Sequence, residues 1–121
     1  MNAAEREDLM RALASSDSEG RAFLIAERPS DHQRLGFIYV ATAVDFFTGE
    51  EHAHIKDIVV AREGEGHGVA SSLLAAAEDW ARSKGYGVIT LSVFPGNERA
   101  RQLYERVGYD TDVLRMLKLL E

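Results

Sequence analysis

Apolar and polar residues alternate along the chain with two different periods, which predict where helices and strands form. Large apolar residues recur at helical spacing within residues 4–15, so the first element is predicted to be a helix. Two runs rich in Phe, Ile, Val and Tyr follow at residues 21–27 and 35–46, and they predict two strands. The short polar link between these runs predicts an antiparallel hairpin.

The middle of the chain predicts a strand, a helix and a second strand in succession. Residues 52–60 predict the first strand. An apolar stripe from Val69 to Trp80 predicts an amphipathic helix that ends at Gly85. Residues 87–94 alternate in the manner of a half-buried strand, and the short link before them predicts a parallel crossover.

The last third of the chain predicts one more helix and a final strand. Asn97 is predicted to cap a helix whose apolar residues recur as far as Val107, and Gly108 is predicted to end it. Residues 109–119 predict the last strand. Residues 1–121 are therefore predicted to form a single α/β domain, in which helices flank a mixed sheet that is antiparallel at its N-terminal side.

Composition and charge narrow the range of functions. The formal net charge of −6 at pH 7 argues against non-specific binding of nucleic acid, which depends on clustered Lys and Arg. The absence of cysteine excludes disulfides and thiolate zinc sites, and it favours a reducing, cytoplasmic setting. The charged N-terminus does not have the pattern of a signal peptide, and no apolar run predicts a membrane span.

A glycine-rich turn, Glu-Gly-His-Gly-Val-Ala at residues 65–70, lies between a predicted strand and a predicted helix. Unpaired N–H groups and the positive end of the helix dipole converge at such a turn and favour phosphate binding. A dinucleotide fingerprint would need a third glycine at Val69 or Ser71, and a Walker-type loop would end in Gly-Lys-Ser/Thr. Neither is present. The alternative interpretation is a turn selected only for tight packing of strand and helix.

From Leu35 onward, and most strongly over residues 55–109, the sequence resembles the GNAT N-acetyltransferases. Gly68 and Ala70 match the family's pyrophosphate motif, Gln/Arg-x-x-Gly-x-Gly/Ala. Glu65 stands at the Gln/Arg position and departs from the motif. The resemblance implies a GNAT-type acyl-CoA N-acyltransferase fold, shortened at its N-terminus, with acetyl-CoA as co-substrate.

The resemblance also assigns cofactor-binding positions. The backbone of the glycine turn would bind the coenzyme A pyrophosphate, and one strand would pair with the pantetheine arm as an added strand pairs with a sheet. The implied residues are Gly66, His67, Gly68, Val69 and Ala70 for the pyrophosphate, Ile58, Val59 and Val60 for the arm, and Asn97 for a polar contact to the arm.

The resemblance implies two catalytic residues. Tyr104 occupies the position of the family's general acid, which protonates the departing thiolate, although ordinary packing of an amphipathic aromatic is compatible with the same position. A backbone N–H near Val59 or Val60 would polarise the carbonyl group. His54 is the candidate general base, since a histidine titrates near neutrality; a structural histidine is the alternative.

Other residues near His54 bear on the acceptor and on metal binding. Strand alternation is expected to place Lys56 on the face of His54 and Asp57 on the opposite face. Diamine acetyltransferases often carry a carboxylate where Lys56 stands, which argues against a polyamine acceptor. His52 and His54, with His32 or His67, could suggest metal binding, but no patterned third ligand accompanies them, and no metal is predicted.

The sequence therefore predicts an acetyl-CoA-dependent N-acetyltransferase, with a small-molecule amine or a protein amine as acceptor and with neither nucleic acid nor a membrane as partner. A non-catalytic acyl-CoA-binding or assembly module of the same fold is the alternative. A homodimer is also predicted, because an uncovered sheet edge at residues 21–27 or 109–119 would invite pairing.

Overall fold

The computed structural model describes residues 11–121, with side chains from Glu19 onward. Within this range the elements are the strands β1 to β5, the helices α1 and α2, and one short 3₁₀ helix. Their order is β1 Arg11–Ser18, β2 Arg21–Glu27, β3 Arg34–Val44, β4 Glu51–Val60, the 3₁₀ helix Arg62–Gly64, α1 Val69–Ser83, β5 Ile89–Leu91 and α2 Glu98–Arg106. No helix among these residues is long and apolar enough to cross a bilayer.

The strands form one mixed sheet in the order β1-β2-β3-β4-β5. The first three pairings are antiparallel, and the pairing of β4 with β5 through α1 is parallel. The predicted hairpin of the second and third strands, the parallel crossover and the mixed sheet are confirmed. Strand β2 is interior, so the expectation of an uncovered edge at residues 21–27 is wrong.

The core lies between one face of the sheet and the apolar stripe of α1. Full burial of a large aliphatic side chain contributes about 1.5–3 kcal/mol, so this layer supplies most of the stabilisation. The buried side chains are Ala22, Leu24 and Ala26 of β2, Leu35, Ile38 and Val40 of β3, Ala53 and Ile55 of β4, and Val69, Leu73, Leu74, Ala77, Trp80 and Ala81 of α1.

The predicted first helix is not observed in the described residues. Residues 4–10 lie outside the described part of the chain, and residues 11–15 belong to β1. Strand β1 pairs with the whole length of β2, from Arg11 opposite Glu27 to Ser18 opposite Arg21. This ladder of backbone hydrogen bonds, with one register shift between Ala14 and Ser16, outweighs the local helical pattern, because tertiary context routinely overrides propensity.

The C-terminal strand predictions are also corrected. Strand β5 covers only Ile89–Leu91 rather than residues 87–94. Residues 109–121 contain no strand, so the strand predicted at residues 109–119 is wrong. Six large apolar side chains of this segment are between 70% and 90% exposed: Val113, Leu114, Met116, Leu117, Leu119 and Leu120. A strand needs a partner for its backbone groups, and none pairs with this segment within residues 11–121.

Gly36 allows β3 to approach β4 closely. It pairs with Val60, and a Cβ atom at this position would lie 2.4 Å from the backbone oxygen of Val59. Side-chain atoms do not occur at such a distance, so any larger residue must push the two strands apart. Gly36 therefore fixes the position of the end of β4.

Replacing Gly36 by Ala is expected to lower the free energy of unfolding by about 1–3 kcal/mol, the usual cost of overpacking. Gly87→Ala is the matched control, because a Cβ there meets no atom within 4 Å. Urea unfolding of both variants measures the difference. Equal stability of Gly36→Ala and Gly87→Ala would contradict the proposed role of the close approach.

Candidate functional site

Strands β4 and β5 pair over three residues each and then part. Residues 53–55 pair with residues 89–91. Beyond Ile55, β4 continues along β3 as far as Val60, and no strand of the described chain pairs with its other edge. The backbone of residues 58–60, which the sequence suggested as the cofactor strand, therefore offers an edge to which an extended ligand can add.

Lys56 is an extra residue in β4 at the point where the strands part. Tyr39 pairs with Asp57, and the next residue of β3, Val40, pairs with Ile55, so Lys56 has no partner across the ladder. Such a β-bulge bends the strand and re-aims the side chains that follow it. Lys56 and Asp57 are both exposed, so the expected alternation that placed them on opposite faces is interrupted here.

The turn before α1 contains two glycines in the left-handed conformation. Gly66 has φ of 78° and Gly68 has φ of 75°, which residues with a side chain rarely adopt. Gly68 is the N-cap of α1, and no side chain caps the first turn. The N–H groups of Val69 and Ala70 lack helical partners because of their position. The start of α1 thus presents free backbone donors and a positive dipole end.

Glu65 and His67 lie in the same turn, and both side chains are exposed. The N–H of Glu65 donates to the carbonyl of Arg62 at 3.2 Å, and the N–H of His67 donates to the carbonyl of Gly64 at 3.3 Å. The turn is therefore shaped by its own backbone hydrogen bonds. The carboxylate of Glu65 stays in water, where it can turn away from a bound anion.

Tyr104 lies on α2, whose start is fixed by Asn97. The Oδ1 atom of Asn97 accepts a hydrogen bond from the N–H of Ala100 at 3.3 Å, which confirms the predicted cap. The Tyr104 ring is half-buried and packs against the core. Burial raises the pKa of Tyr104, so its hydroxyl remains protonated at neutral pH and can act as a proton donor.

His54 lies on β4 immediately before the bulge. Its Nδ1 atom is 2.8 Å from the Oγ1 atom of Thr90 on β5. Burial lowers the pKa of His54, and the positive charges of His52 and Lys56 lower it further. The imidazole is therefore neutral near pH 7, as a general base must be before it takes a proton.

The sequence model of the acetyltransferase (GNAT) family matches residues 2–109, which is most of the chain. This chain belongs to the GNAT family. The family and the α/β acyltransferase fold predicted from the sequence are thereby confirmed. The parting of β4 and β5 and the uncapped start of α1 are the features of this GNAT domain that surround its candidate site.

Two curated GNAT relatives come from Bacillus subtilis. The uncharacterized N-acetyltransferase YycN is 39% identical over 71 residues, which are 58% of this chain and 46% of YycN. The uncharacterized N-acetyltransferase YhfO is 28% identical over 99 residues, which are 82% of this chain and 65% of YhfO. This chain therefore spans between about half and two thirds of the length of these relatives.

Solved structures give the same fold. A provisionally assigned acetyl transferase from Pyrococcus furiosus superposes with a TM-score of 0.76 at 31% identity, over 85% of this chain and 68% of that one. The enzyme AAC(6')-Iy, in complex with the bisubstrate analog CoA-S-monomethyl-acetylneamine, superposes with a TM-score of 0.73 at 20% identity, over 86% of this chain and 71% of that one. At 20% identity, the similarity to AAC(6')-Iy shows only that the two proteins share a fold.

The two candidate catalytic side chains of this GNAT domain lie on opposite sides of the sheet. Ala53 and Ile55 enter the core beneath α1, so strand alternation directs His54 to the other face. Tyr104 packs against the core and so lies on the α1 side. The candidate proton donor and the candidate proton acceptor are thus separated by the sheet.

Sequence reasoning missed two residues that support the site. Thr90 contacts His54 because the parallel register makes the two residues neighbours. Tyr109 donates a hydrogen bond from its hydroxyl to Glu78 of α1 at 3.1 Å, and its N–H donates to the carbonyl of Tyr104 at 2.9 Å. Burial beside the Glu78 carboxylate raises the pKa of Tyr109. An aromatic residue directly after the helix-ending Gly108 was the available signal for this anchor.

The histidines do not form a metal centre. Among the residues that the structure describes, no three His, Asp or Glu side chains come together in a group that could hold a metal ion. The Nδ1 atom of His32 lies 2.7 Å from Oε1 of Glu27 at the β2–β3 turn. His54 is engaged with Thr90.

Proposed function

We propose that this chain is an N-acetyltransferase that transfers an acetyl group from acetyl-CoA to a primary amine, in a ternary complex and without a covalent enzyme intermediate. The observation that carries the proposal is the free edge of β4 beside β5, which continues into the uncapped start of α1. One path along the chain thus combines a strand-like ligand edge with an anion-binding turn. The bisubstrate complex of AAC(6')-Iy, a protein of the same fold, supports this proposal.

The proposed acetyl-CoA site has two parts that follow one another along this path. The backbone donors from Gly66 to Ala70 would bind the pyrophosphate, and the edge of residues 58–60 would pair with the pantetheine arm. Asn97 would add a polar contact through its amide group, because its Oδ1 atom already caps α2. When bound, acetyl-CoA supplies the thioester whose acetyl group is transferred.

The residues of this chain would move two protons during transfer. A backbone N–H near Val59 or Val60 would stabilise the negative charge that develops on the carbonyl oxygen. His54 would take the proton from the attacking amine, and Tyr104 would donate its hydroxyl proton to the departing thiolate sulfur. The directions of their pKa shifts favour the neutral form of both groups at the start.

The acceptor is proposed to be a small-molecule amine or a protein amine. The net charge of −6 favours the approach of a cationic acceptor by long-range attraction. Lys56 is exposed beside His54, and like-charge repulsion disfavours a second cationic group close to the reacting nitrogen. A monoamine is therefore a better fit than a polyamine.

A specific observation favours a second candidate, a non-catalytic acyl-CoA-binding module. Glu65 carries a negative charge in the turn that would bind pyrophosphate. That charge would weaken the binding of acyl-CoA. A protein that binds acyl-CoA weakly and catalyses no reaction is as consistent with it as an enzyme is. Binding and turnover must therefore be measured separately.

Acetyl-CoA is expected to bind the purified protein in a calorimetric titration, and free thiol is expected to appear when a panel of primary amines is added. A carboxylate about 5 Å from a phosphate charge costs about 1 kcal/mol in water, so Glu65→Gln is expected to lower the Kd about fivefold. Glu50→Gln in the exposed β3–β4 turn is the control with the same change in charge.

Three outcomes of this titration are distinct. Binding with thiol release supports the enzyme, and binding without release supports the module. Absence of binding in both the native chain and Glu65→Arg contradicts both proposals. Added salt is expected to shrink the difference between native protein and Glu65→Gln, because the interaction of exposed charges is screened.

Tyr104→Phe is expected to reduce kcat by about 10²–10⁴, the usual contribution of a positioned general acid, with little change in the Kd of acetyl-CoA. The control is Tyr109→Phe, which removes a neighbouring hydroxyl that is bound to Glu78. This control is expected to lower stability and to retain kcat. Steady-state thiol release measures both variants, and full activity of Tyr104→Phe would remove Tyr104 from the mechanism.

We further propose that the chain forms a homodimer through its exposed C-terminal segment. Exposed apolar side chains grouped in one segment favour a protein contact, and β5 is the last strand of the sheet that residues 11–121 form, so one of its edges is unpaired there. Sedimentation is expected to give a dimer at tens of micromolar protein, and Leu117→Glu is expected to shift it to monomer. Phe46→Glu, at a residue 93% exposed in the β3–β4 turn, is the control. A monomeric native chain would contradict the proposal.

A further inference from the structure

His54 and Thr90 are cross-strand neighbours at the last pairings before β4 and β5 part. Their side chains meet through Nδ1 of His54 and Oγ1 of Thr90 at 2.8 Å. The hydroxyl of Thr90 also donates a long hydrogen bond to the carbonyl oxygen of Ala53 at 3.5 Å. The three groups form a series of hydrogen bonds that runs from the imidazole through the hydroxyl to the backbone of β4.

The direction in which these hydrogen bonds are donated determines the tautomer of the imidazole. A hydroxyl has one hydrogen to donate, and a carbonyl oxygen can only accept. When Thr90 donates to Ala53, its oxygen can only accept from His54, so Nδ1 must carry the hydrogen. The other ring nitrogen, Nε2, then has a free lone pair. No hydrogen-bond partner of Nε2 is found among the described residues.

A hydrogen bond donated in the opposite direction, from Thr90 to Nδ1, would prevent His54 from acting as a base. If Thr90 donated to Nδ1, the neutral ring would carry its hydrogen on Nε2. That nitrogen could then donate a hydrogen bond but could not accept a proton. The carbonyl of Ala53 breaks this symmetry, because it gives the Thr90 hydrogen a second acceptor at a fixed place in the sheet.

We infer that Thr90 is a positioning residue, which holds His54 in the Nδ1–H tautomer so that Nε2 can accept the proton of the acceptor amine. The inference rests on the proposed function for its catalytic consequence, while the tautomer itself can be observed without turnover. Thr90 touches neither substrate in this account and acts through His54.

The proton transfers balance over the whole reaction. As the amine nitrogen bonds to the carbonyl carbon, the π electron pair of the C=O bond would move to the oxygen, and the Nε2 lone pair of His54 would take the surplus proton from nitrogen. The C=O bond would then re-form as the C–S bond breaks, and the departing thiolate would take the hydroxyl proton of Tyr104, which is restored from water. The ring becomes an imidazolium whose Nδ1–H still donates to Thr90 Oγ1. The hydrogen bond then has a charged donor, which makes it stronger than its neutral form. Thr90 thus stabilises the protonated base without gaining or losing a proton.

The tautomer is testable by ¹⁵N NMR of the imidazoles at a pH well above 6.5, where the ring is neutral. The signals of His54 are assigned by their loss in His54→Gln. The native chain and Thr90→Ser are expected to show Nδ1–H, whereas Thr90→Val is expected to show a larger share of Nε2–H. Nε2–H in the native chain, or identical spectra of the native chain and Thr90→Val, would overturn the inference.

The kinetic test uses the same variants on any amine that the native chain acetylates. Thr90→Val is expected to lower kcat by at least about tenfold, because an imidazole in the wrong tautomer loses its function as a base. Thr90→Ser is expected to restore most of the rate, and the Kd of acetyl-CoA is expected to be the same in both variants. Equal losses in Thr90→Ser and Thr90→Val would overturn the inference.

A double-mutant comparison separates positioning from a general effect on the strand. In the His54→Gln background, Thr90→Val is expected to have no further effect on kcat, since the base it positions is gone. A full additional loss in that background would contradict the inference. If no amine is acetylated, the proposed enzyme fails while the NMR result still decides the tautomer. If amines are acetylated and the tautomer is Nε2–H, the enzyme stands and the role of Thr90 fails.

Discussion

The parting of β4 from β5 is the constraint on which the candidate site depends. Parallel pairing stops after three residues, and the bulge at Lys56 bends β4 at the same place. Backbone groups left unpaired in this way must be hydrated or bound by a ligand, because burying them alone is costly. Gly36 lets β3 approach the end of β4 closely, so β3 holds this part of β4 from its paired edge.

Partial burial prepares both candidate catalytic side chains through one physical cause. Removal from water disfavours the charged form of any group, so it raises the pKa of a phenol and lowers that of an imidazole. Tyr104 and His54 are both half-buried, and their pKa values shift in these two directions. Both shifts favour the neutral form, with which a proton donor and a general base each begin.

The middle of the fold could be predicted from the sequence because its signals are local. Alternation at residues 52–60, the apolar stripe after Val69 and the cap at Asn97 each specify their element without reference to distant residues. The bulge at Lys56 could not be predicted in the same way, since it exists only as a mismatch between two strands. The contact between His54 and Thr90 likewise depends on the register of a parallel pair 36 residues apart in sequence.

The predictions at residues 11–15 and 109–119 were wrong for a related reason. Whether residues 11–15 form a strand or a helix depends on their pairing with β2. The segment after Gly108 contains apolar residues, but no strand of residues 11–121 pairs with it. For the site, the sequence supplied the glycine turn, Tyr104 and His54 through family resemblance. It did not supply Thr90 or the bond from Tyr109 to Glu78, which only the packed structure brings together.

The opposite placement of Tyr104 and His54 has a consequence for the order of kinetic steps. In the proposed site acetyl-CoA would bind along the free edge of β4, and an amine that reaches His54 on the face opposite α1 would not cross its path. Either substrate of the proposed reaction could then bind first, and either product could leave first. The proposed placement would therefore impose no compulsory sequence of binding and release, which corresponds to a random-order mechanism.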